Sequence, residues 1–198
     1  LNVVNSSGVD FSHRGTMVFS YFKSKAATGE SAGEGIEKEW STTISKLDFE
    51  EMGNSIARKA LATLKAESFK GESHVTALIV PVELEGLLSA VEFATSAEQV
   101  NKKRSPWVNQ LGAKVASDKL TVWDDGRYPG GIRSALADDE GVETSKKTII
   151  DRGRLQSYIY DSYNANIAGV KATGNGFRRG TRSIEDSFAL PAACSYAN

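Results

Sequence analysis

Metal-binding side chains are scarce in this sequence of 198 residues. It contains one cysteine, Cys194, and two histidines, His13 and His74. A single cysteine excludes a disulfide framework, and so small a set excludes every zinc module built from cysteine and histidine. The chain therefore lacks the ligands of a self-sufficient zinc peptidase, and its cysteine content favours a reducing compartment, the cytoplasm.

Long hydrophobic runs and an excess of one charge are also missing. No apolar stretch approaches the roughly 20 residues that a membrane-spanning helix needs, and residues 1–4 lack the charged start of a signal peptide. Twenty-four basic residues nearly balance twenty-five acidic ones, so the bulk charge does not favour nucleic acid or an acidic membrane as a partner. We expect neither of these partners.

The remaining composition is that of a folded protein, with 40% apolar and 25% charged residues. That balance is sufficient for a buried core in one domain or two small ones. The chain begins at Leu1 without a start methionine and stops shortly after Cys194, within a predicted element. We expect it to be a piece of a longer protein.

Alternation and helical spacing predict the elements of the first half. Residues 13–28 alternate, with Phe19 and Tyr21 on one face and Ser20 on the other, which indicates a half-buried strand. Residues 36–44 are predicted to return as the second strand of a hairpin. The predicted turn contains three glycines, Gly29, Gly33 and Gly35.

Two helices and a buried strand are predicted to follow the hairpin. Asp48 is placed as the N-cap of a helix that ends near residue 65. The branched residues Val75–Val80 indicate a well-buried strand. After Pro81, a second helix is expected to present one apolar face, made of Leu84, Leu87, Leu88 and Val91.

The second half reads as short strands separated by turns. Strands are predicted at residues 119–123, 143–150 and 155–160, which favours an antiparallel sheet. Because strands and helices are segregated, we predict an α+β fold with mixed, largely antiparallel sheets and a few packed helices. We divide it into an α+β region with the hairpin and two helices, residues 1–110, and a β-rich region, residues 111–198.

Several strings, taken in order, resemble the TldD/PmbA family, also called the modulator of DNA gyrase family. They are Asn5-Ser6-Ser7-Gly8, Leu111-Gly112 with Val115-Ala116-Ser117, Asp138-Asp139-Glu140-Gly141-Val142, and Thr173-Gly174-Asn175-Gly176-Phe177-Arg178-Arg179. The resemblance spans nearly the whole chain but corresponds only to the middle of the family's longer proteins. It implies a mixed α/β protein that forms dimers around a cavity where peptides are cleaved.

The resemblance also identifies the subtype. Catalytic, TldD-type subunits carry a His-Glu-x-x-x-His metal helix and a distant cysteine, whereas PmbA-type (TldE) subunits lack them. At the corresponding positions this chain has Ser89, Ala90 and Ala94, none of which can bind zinc or take a proton from water. The resemblance therefore implies no metal and no other cofactor, and the family's cysteine lies beyond the position of Cys194.

Two motifs remain as candidate binding sites for the cavity or a partner. The cluster Asp138, Asp139, Glu140 and Gly141 could bind a cation, pair with arginines, or form a charged turn in which Gly141 has a positive backbone angle. The second motif resembles a backbone nest for an anionic group such as a peptide carboxylate, although the same glycines suit a tight loop. Its residues are Gly174, Asn175, Arg178 and Arg179.

Three functions follow from these observations. The first is a PmbA/TldE-like subunit without metal, which pairs with a TldD-like catalytic subunit and helps to degrade or mature peptides. The second is a homodimeric protein that binds a peptide or small ligand without catalysis. The third is a hydrolase in which Glu92 or the acidic cluster acts as acid or base. Glu85 and Glu92 share a helix face, where they could hold a metal or simply form the solvated side.

Overall fold

The computed structural model describes residues 2–6, 8–64, 66–68, 70–71, 74–80, 83–178 and 192–193. The chain forms two compact units. The hairpin unit is Gly15–Leu78, and the larger unit combines Leu1–Arg14 with Ile79–Asn198. The boundary expected between residues 110 and 111 falls inside the larger unit.

Helices and antiparallel strands both occur, which confirms the α+β fold. The strands are β1 Asn2–Val4, β2 Asp10–Ser12, β3 Val18–Thr28, β4 Ser31–Ser41, β5 Val122–Asp125, β6 Lys146–Asp151, β7 Arg154–Leu155, β8 Gly176–Phe177 and β9 Ala192–Ala193. The helices are α1 Phe49–Thr63, α2 Leu84–Thr95, α3 Ala97–Asn101 and α4 Ser162–Ala168. The strands pair as β1–β2, β3–β4, β5–β6–β7 and β8–β9, each pair antiparallel.

The predicted hairpin is confirmed, but only Gly29 of the three glycines lies in its turn. Gly29 and Glu30 form a two-residue loop, and Gly29 has φ 55°. Gly33 and Gly35 lie within β4 and face α1. A Cβ atom on Gly35 would overlap the carbonyl oxygen of Ile56, so these glycines allow the helix backbone to lie directly against the strand.

The same close packing decides which face of β3 is buried. The predicted alternation is present, but Ser20 is the buried residue, whereas Phe19 and Tyr21 are exposed. Ser24, on the same face as Ser20, donates a hydrogen bond of 3.0 Å to the carbonyl of Ile56 in α1. A small residue lets the helix backbone approach at Ser24, and Phe22, also on this face, contacts Phe49 where α1 begins. The face that carries Phe19 and Tyr21 is left uncovered by the described residues of this unit.

Helix α1 begins as its capping residues predict. The Asp48 carboxylate accepts a hydrogen bond of 2.9 Å from the Glu51 N–H, and Glu50 and Glu51 lie in the first turn. The Asp48 carboxylate satisfies a free N–H group of the first turn, and the acidic side chains interact favourably with the positive end of the helix dipole. Met52 and Ala60 are buried on the face toward the hairpin.

The core of the larger unit lies along β6. Ile149, Ile150 and Ile159 are buried together there. Four partly buried residues pack against them, Val91, Trp107, Val115 and Val122. The turn at Arg152 and Gly153, where both φ angles are positive, connects β6 to β7 as a tight two-residue loop. This sheet supports the loops that carry the candidate site.

Two predictions for residues 75–91 are wrong in part. Val75–Val80 form no strand and are exposed, with Leu78 97% accessible, because no described segment pairs with them. Helix α2 is present, but of its predicted apolar face only Val91 packs against the core, while Leu87 and Leu88 stay about half exposed. Pro81 lies outside the described residues.

The β-rich region also contains a helix that the sequence analysis missed. Helix α4 begins at the N-cap Asp161, whose carboxylate accepts a hydrogen bond of 2.6 Å from the Asn164 N–H. It ends at Gly169, which has φ 67° as a left-handed C-cap. The strand predicted at residues 155–160 does not continue beyond β7. In that stretch only Ile159 forms an isolated β-bridge, with Ser96.

Candidate functional site

The two candidate motifs, far apart in sequence, lie side by side in the larger unit. The Gly176 N–H donates 2.8 Å to Asp138 Oδ2, and the Arg178 N–H donates 2.7 Å to Asp139 Oδ2. The Asp139 N–H in turn donates 3.1 Å to the Gly176 carbonyl. The acidic cluster and the glycine-rich segment therefore form one hydrogen-bonded structure, here called the carboxylate loop pair (residues 138–142 and 173–178).

Asp138 is the centre of the carboxylate loop pair and is fully buried. Its Oδ1 accepts the N–H groups of Glu140 at 3.0 Å and Val142 at 2.9 Å, in addition to the Gly176 bond at Oδ2. Burial raises the pKa of the Asp138 carboxyl, and the three backbone hydrogen bonds oppose that rise. Asp138 closes its own turn, and Gly141 at φ 82° completes it.

The neighbouring carboxylates also bind groups of this chain. Asp139 accepts the Arg178 N–H and lies 3.9 Å from the Arg178 guanidinium. Glu140 Oε2 accepts 2.7 Å from the N–H of Ser162, the first residue of α4. A Cβ atom on Gly176 would overlap the Glu140 carboxylate, so a larger residue at that position would displace the Glu140 side chain. The anions that occupy the glycine-rich N–H groups are thus Asp138 and Asp139.

Asn175 connects the carboxylate loop pair to a buried ion pair that the sequence analysis missed. Its Nδ2 donates 2.8 Å to Asp124 Oδ2, and its Oδ1 accepts 2.7 Å from Thr173 Oγ1. Asp124 also accepts 2.9 Å from Lys147 Nζ, and both side chains are largely buried. A signal was present, because Asp124 follows the exposed Trp123 in the alternation of a strand.

Of the other two nest residues, only Gly174 can be placed. Gly174 has φ 71°, and a Cβ there would lie 2.9 Å from the Glu143 carbonyl carbon. Glycine therefore permits the close approach of this segment to the backbone of residues 143–144, just before β6. Arg179 lies outside the described residues.

The residues on α2 do not fit the metal that the resemblance implies for catalytic subunits. Ser89 Oγ donates 2.7 Å to the Gly86 carbonyl, while Ala90 and Ala94 offer no ligand atom. Within the described residues, no group of three His, Cys, Asp or Glu side chains could hold a metal ion. Cys194 lies outside the described residues.

Models of known protein families match most of the chain. Residues 2–64 match the PmbA/TldA metallopeptidase central domain, and residues 72–188 match the PmbA/TldA metallopeptidase C-terminal domain. The fold thus belongs to a class of metallopeptidase-related α+β proteins. The chain is a member of the TldD/PmbA family.

Individual relatives agree with the family match. An uncharacterized protein of Methanocaldococcus jannaschii is 32% identical over 92% of this chain and 42% of its own length. A PmbA-type metalloprotease homolog of Haemophilus influenzae is 26% identical over 87% of this chain and 42% of its own. The crystal structure of TldE from Thermococcus kodakarensis matches with TM-score 0.78 and 25% identity, covering 98% of this chain and 43% of that one.

The chain spans less than half the length of these relatives. None of the helices in the described residues has the length and apolar character needed to cross a bilayer.

Proposed function

We propose that this chain is a PmbA/TldE-type subunit without metal, which pairs with a TldD-type catalytic subunit in the cytoplasm and contributes to degrading or maturing peptides. The observation that carries the proposal is the composition of α2. This helix has Ser89, Ala90 and Ala94 where the catalytic subunits of the family carry their two histidines and glutamate. A zinc peptidase requires those ligands and that base, so the chemistry must come from another subunit.

The likeness to TldE supports the same subtype. It extends over 98% of the chain, including the hairpin unit and the carboxylate loop pair. The carboxylate loop pair has no free acid or base in its centre, since the Asp138 carboxylate accepts three backbone N–H groups. This arrangement suits a role in shaping a surface and argues against the alternative of an independent hydrolase.

The association with a catalytic subunit can be tested by co-expression. We expect this chain to co-purify with the TldD-type subunit of the same organism, with a native mass equal to the sum of the two chains or a multiple of it. A chain that stays apart from the catalytic subunit and runs at twice its own mass would instead indicate the homodimeric binding protein.

The carboxylate loop pair can be tested within such a complex. Arg178 lies at its edge beside Asp139, and Arg179 follows it. We propose that these arginines bind the peptide backbone or order the partner's site, so R178A/R179A should lower peptide turnover by the complex about tenfold or more. Arg104→Ala, an exposed arginine elsewhere in the larger unit, is the matched control. Unchanged turnover in the double variant would remove this role.

A further inference from the structure

The hairpin β3–β4 has two long edges, which differ in how their outward backbone groups are hydrogen-bonded. In a hairpin with a two-residue loop, the pair flanking the loop is hydrogen-bonded and every second pair after it is not. The pair Thr28 and Ser31 flanks this loop, so the even-numbered residues of β3 bond to β4. The N–H and C=O groups of the odd-numbered residues, Phe19 to Lys25, therefore point away from β4.

Helix α1 caps two carbonyls on the outward edge of β4. Lys59 Nζ donates 3.1 Å to the carbonyl of Ile36, and Thr63 Oγ1 donates 3.0 Å to the carbonyl of Glu34. Ile36 and Glu34 pair with Lys23 and Lys25, so these carbonyls belong to the outward set of β4. No equivalent bond to the outward groups of β3 is formed by the described residues. The edge of β3 is therefore the open one, over about ten residues.

The face beside that open edge is aromatic and positively charged. Phe19 and Trp40 stack with ring centroids 4.9 Å apart, and Phe19, Tyr21 and Ile36 are 43–53% exposed. Three lysines, Lys23, Lys25 and Lys38, accompany a single acid, Glu34, on this face. Large exposed aromatic groups rimmed by charge are typical of protein interaction sites.

We propose that the open edge of β3 accepts a further β-strand from the partner subunit, one that carries apolar side chains beside Phe19 and Tyr21 and acidic side chains beside Lys23 and Lys25. The inference rests on the proposed function, because the strand belongs to the TldD-type subunit. A third strand would extend the sheet through main-chain hydrogen bonds, as in proteins that bind an extended segment at an exposed sheet edge.

Charge decides between the partner and a second copy of this chain. Each copy has three lysines and one glutamate on the face in question, so two copies would bring faces of the same sign together. An acidic strand neutralises the lysines and adds cross-strand pairs of opposite charge. The partner strand is therefore the occupant that the surface favours.

Amide hydrogen exchange, resolved by residue, tests the pairing directly. In this chain alone, the N–H groups of Phe19, Tyr21, Lys23 and Lys25 should exchange freely while those of their even-numbered neighbours are protected. In the complex with the TldD-type subunit, the odd-numbered amides should slow by about tenfold or more. A complex in which they still exchange freely would overturn the inference while leaving the proposed function intact.

A proline variant tests the same edge by binding. Tyr21→Pro removes an outward N–H without removing a β3–β4 hydrogen bond, and proline is tolerated on edge strands. It should weaken the complex by about tenfold or more, with the even-numbered amides still protected as proof that the hairpin is folded. K23E/K25E should weaken it as well, whereas Lys46→Glu, an exposed lysine of the same unit outside the hairpin, should not.

Three further outcomes would count against the inference. Wild-type affinity in Tyr21→Pro would overturn it. Protection of the odd-numbered amides in this chain alone, together with a doubled native mass, would assign the edge to a second copy. If the wild-type chain forms no complex at all, the proposed function itself is rejected and the inference falls with it.

Discussion

Asp138→Asn should loosen the carboxylate loop pair and destabilise the larger unit. The carboxylate accepts three backbone N–H groups through its two oxygens, whereas an asparagine side chain has one acceptor oxygen and one donor group. In either orientation of the amide, at least one buried N–H faces another donor. The variant therefore loses a charge-assisted hydrogen bond and leaves a buried group unsatisfied.

The magnitude follows from these two losses. A hydrogen bond to a charged group contributes about 1.5–3 kcal/mol, and a buried unsatisfied donor costs about 1–3 kcal/mol. Relief of the desolvation that raises the pKa of Asp138 offsets part of this cost. We expect a net loss of about 3 kcal/mol in the free energy of unfolding, which lowers Tm by about 6–12 °C for a unit of this size.

Urea titration followed by circular dichroism measures this loss at neutral pH. Asp139→Asn is the matched control, because Asp139 accepts only the Arg178 N–H through one oxygen and should lose about 1 kcal/mol. A fall of less than 1 kcal/mol in Asp138→Asn, or an equal fall in both variants, would refute the argument that Asp138 holds the two segments together.

Two further predictions concern the hairpin unit. Gly35→Ala should destabilise it by about 2–3 kcal/mol, measured by thermal unfolding, because the new methyl group would overlap the Ile56 carbonyl oxygen. Gly53→Ala, on the open side of α1, should instead stabilise it by about 0.5–1 kcal/mol. The hydrogen bond from Lys59 Nζ, at 2.8 Å, lowers the pKa of Glu37. The contribution of this ion pair to the free energy of unfolding is therefore present above pH 4.5 and is lost as the pH falls through the lowered pKa. The free energy of unfolding of the wild type should therefore exceed that of Glu37→Gln by about 1 kcal/mol at pH 7 and by nearly nothing in strong acid, which a pH series of urea titrations measures. Equal stabilities of these two proteins at pH 7 would contradict the argument about Glu37. A stability of Gly35→Ala matching that of Gly53→Ala would contradict the argument about close packing.

Local signals in the sequence were enough to predict the elements whose cause is local. The N-cap Asp48 acts within a few residues of itself and was predicted, as was a turn containing Gly29. The length of that turn, two residues, was not predicted, because Gly33 and Gly35 were assigned to it as well. The burial of Ser20 in place of Phe19 could not be predicted in the same way. It depends on the glycines of β4, which let α1 lie directly against that face of the hairpin.

In the candidate site, too, the local features could be predicted from the sequence and the long-range contacts could not. The glycines and carboxylates of residues 138–141 and 174–178 stand out because their composition is unusual over a short span. Their contact with each other could not be predicted, because it depends on long-range pairing that brings Gly176 to Asp138 across 38 residues. Asp124 and Lys147 were missed for a related reason, since a charged residue in a strand is normally on the exposed face.

The most direct test of the account is peptide turnover by the TldD-type subunit as this chain is added to it. The account predicts that this chain alone is inactive with or without added zinc, and that turnover rises with each addition until the two subunits are equimolar. Full turnover by the catalytic subunit alone, or zinc-dependent cleavage by this chain alone, would contradict the assignment of a metal-free partner subunit.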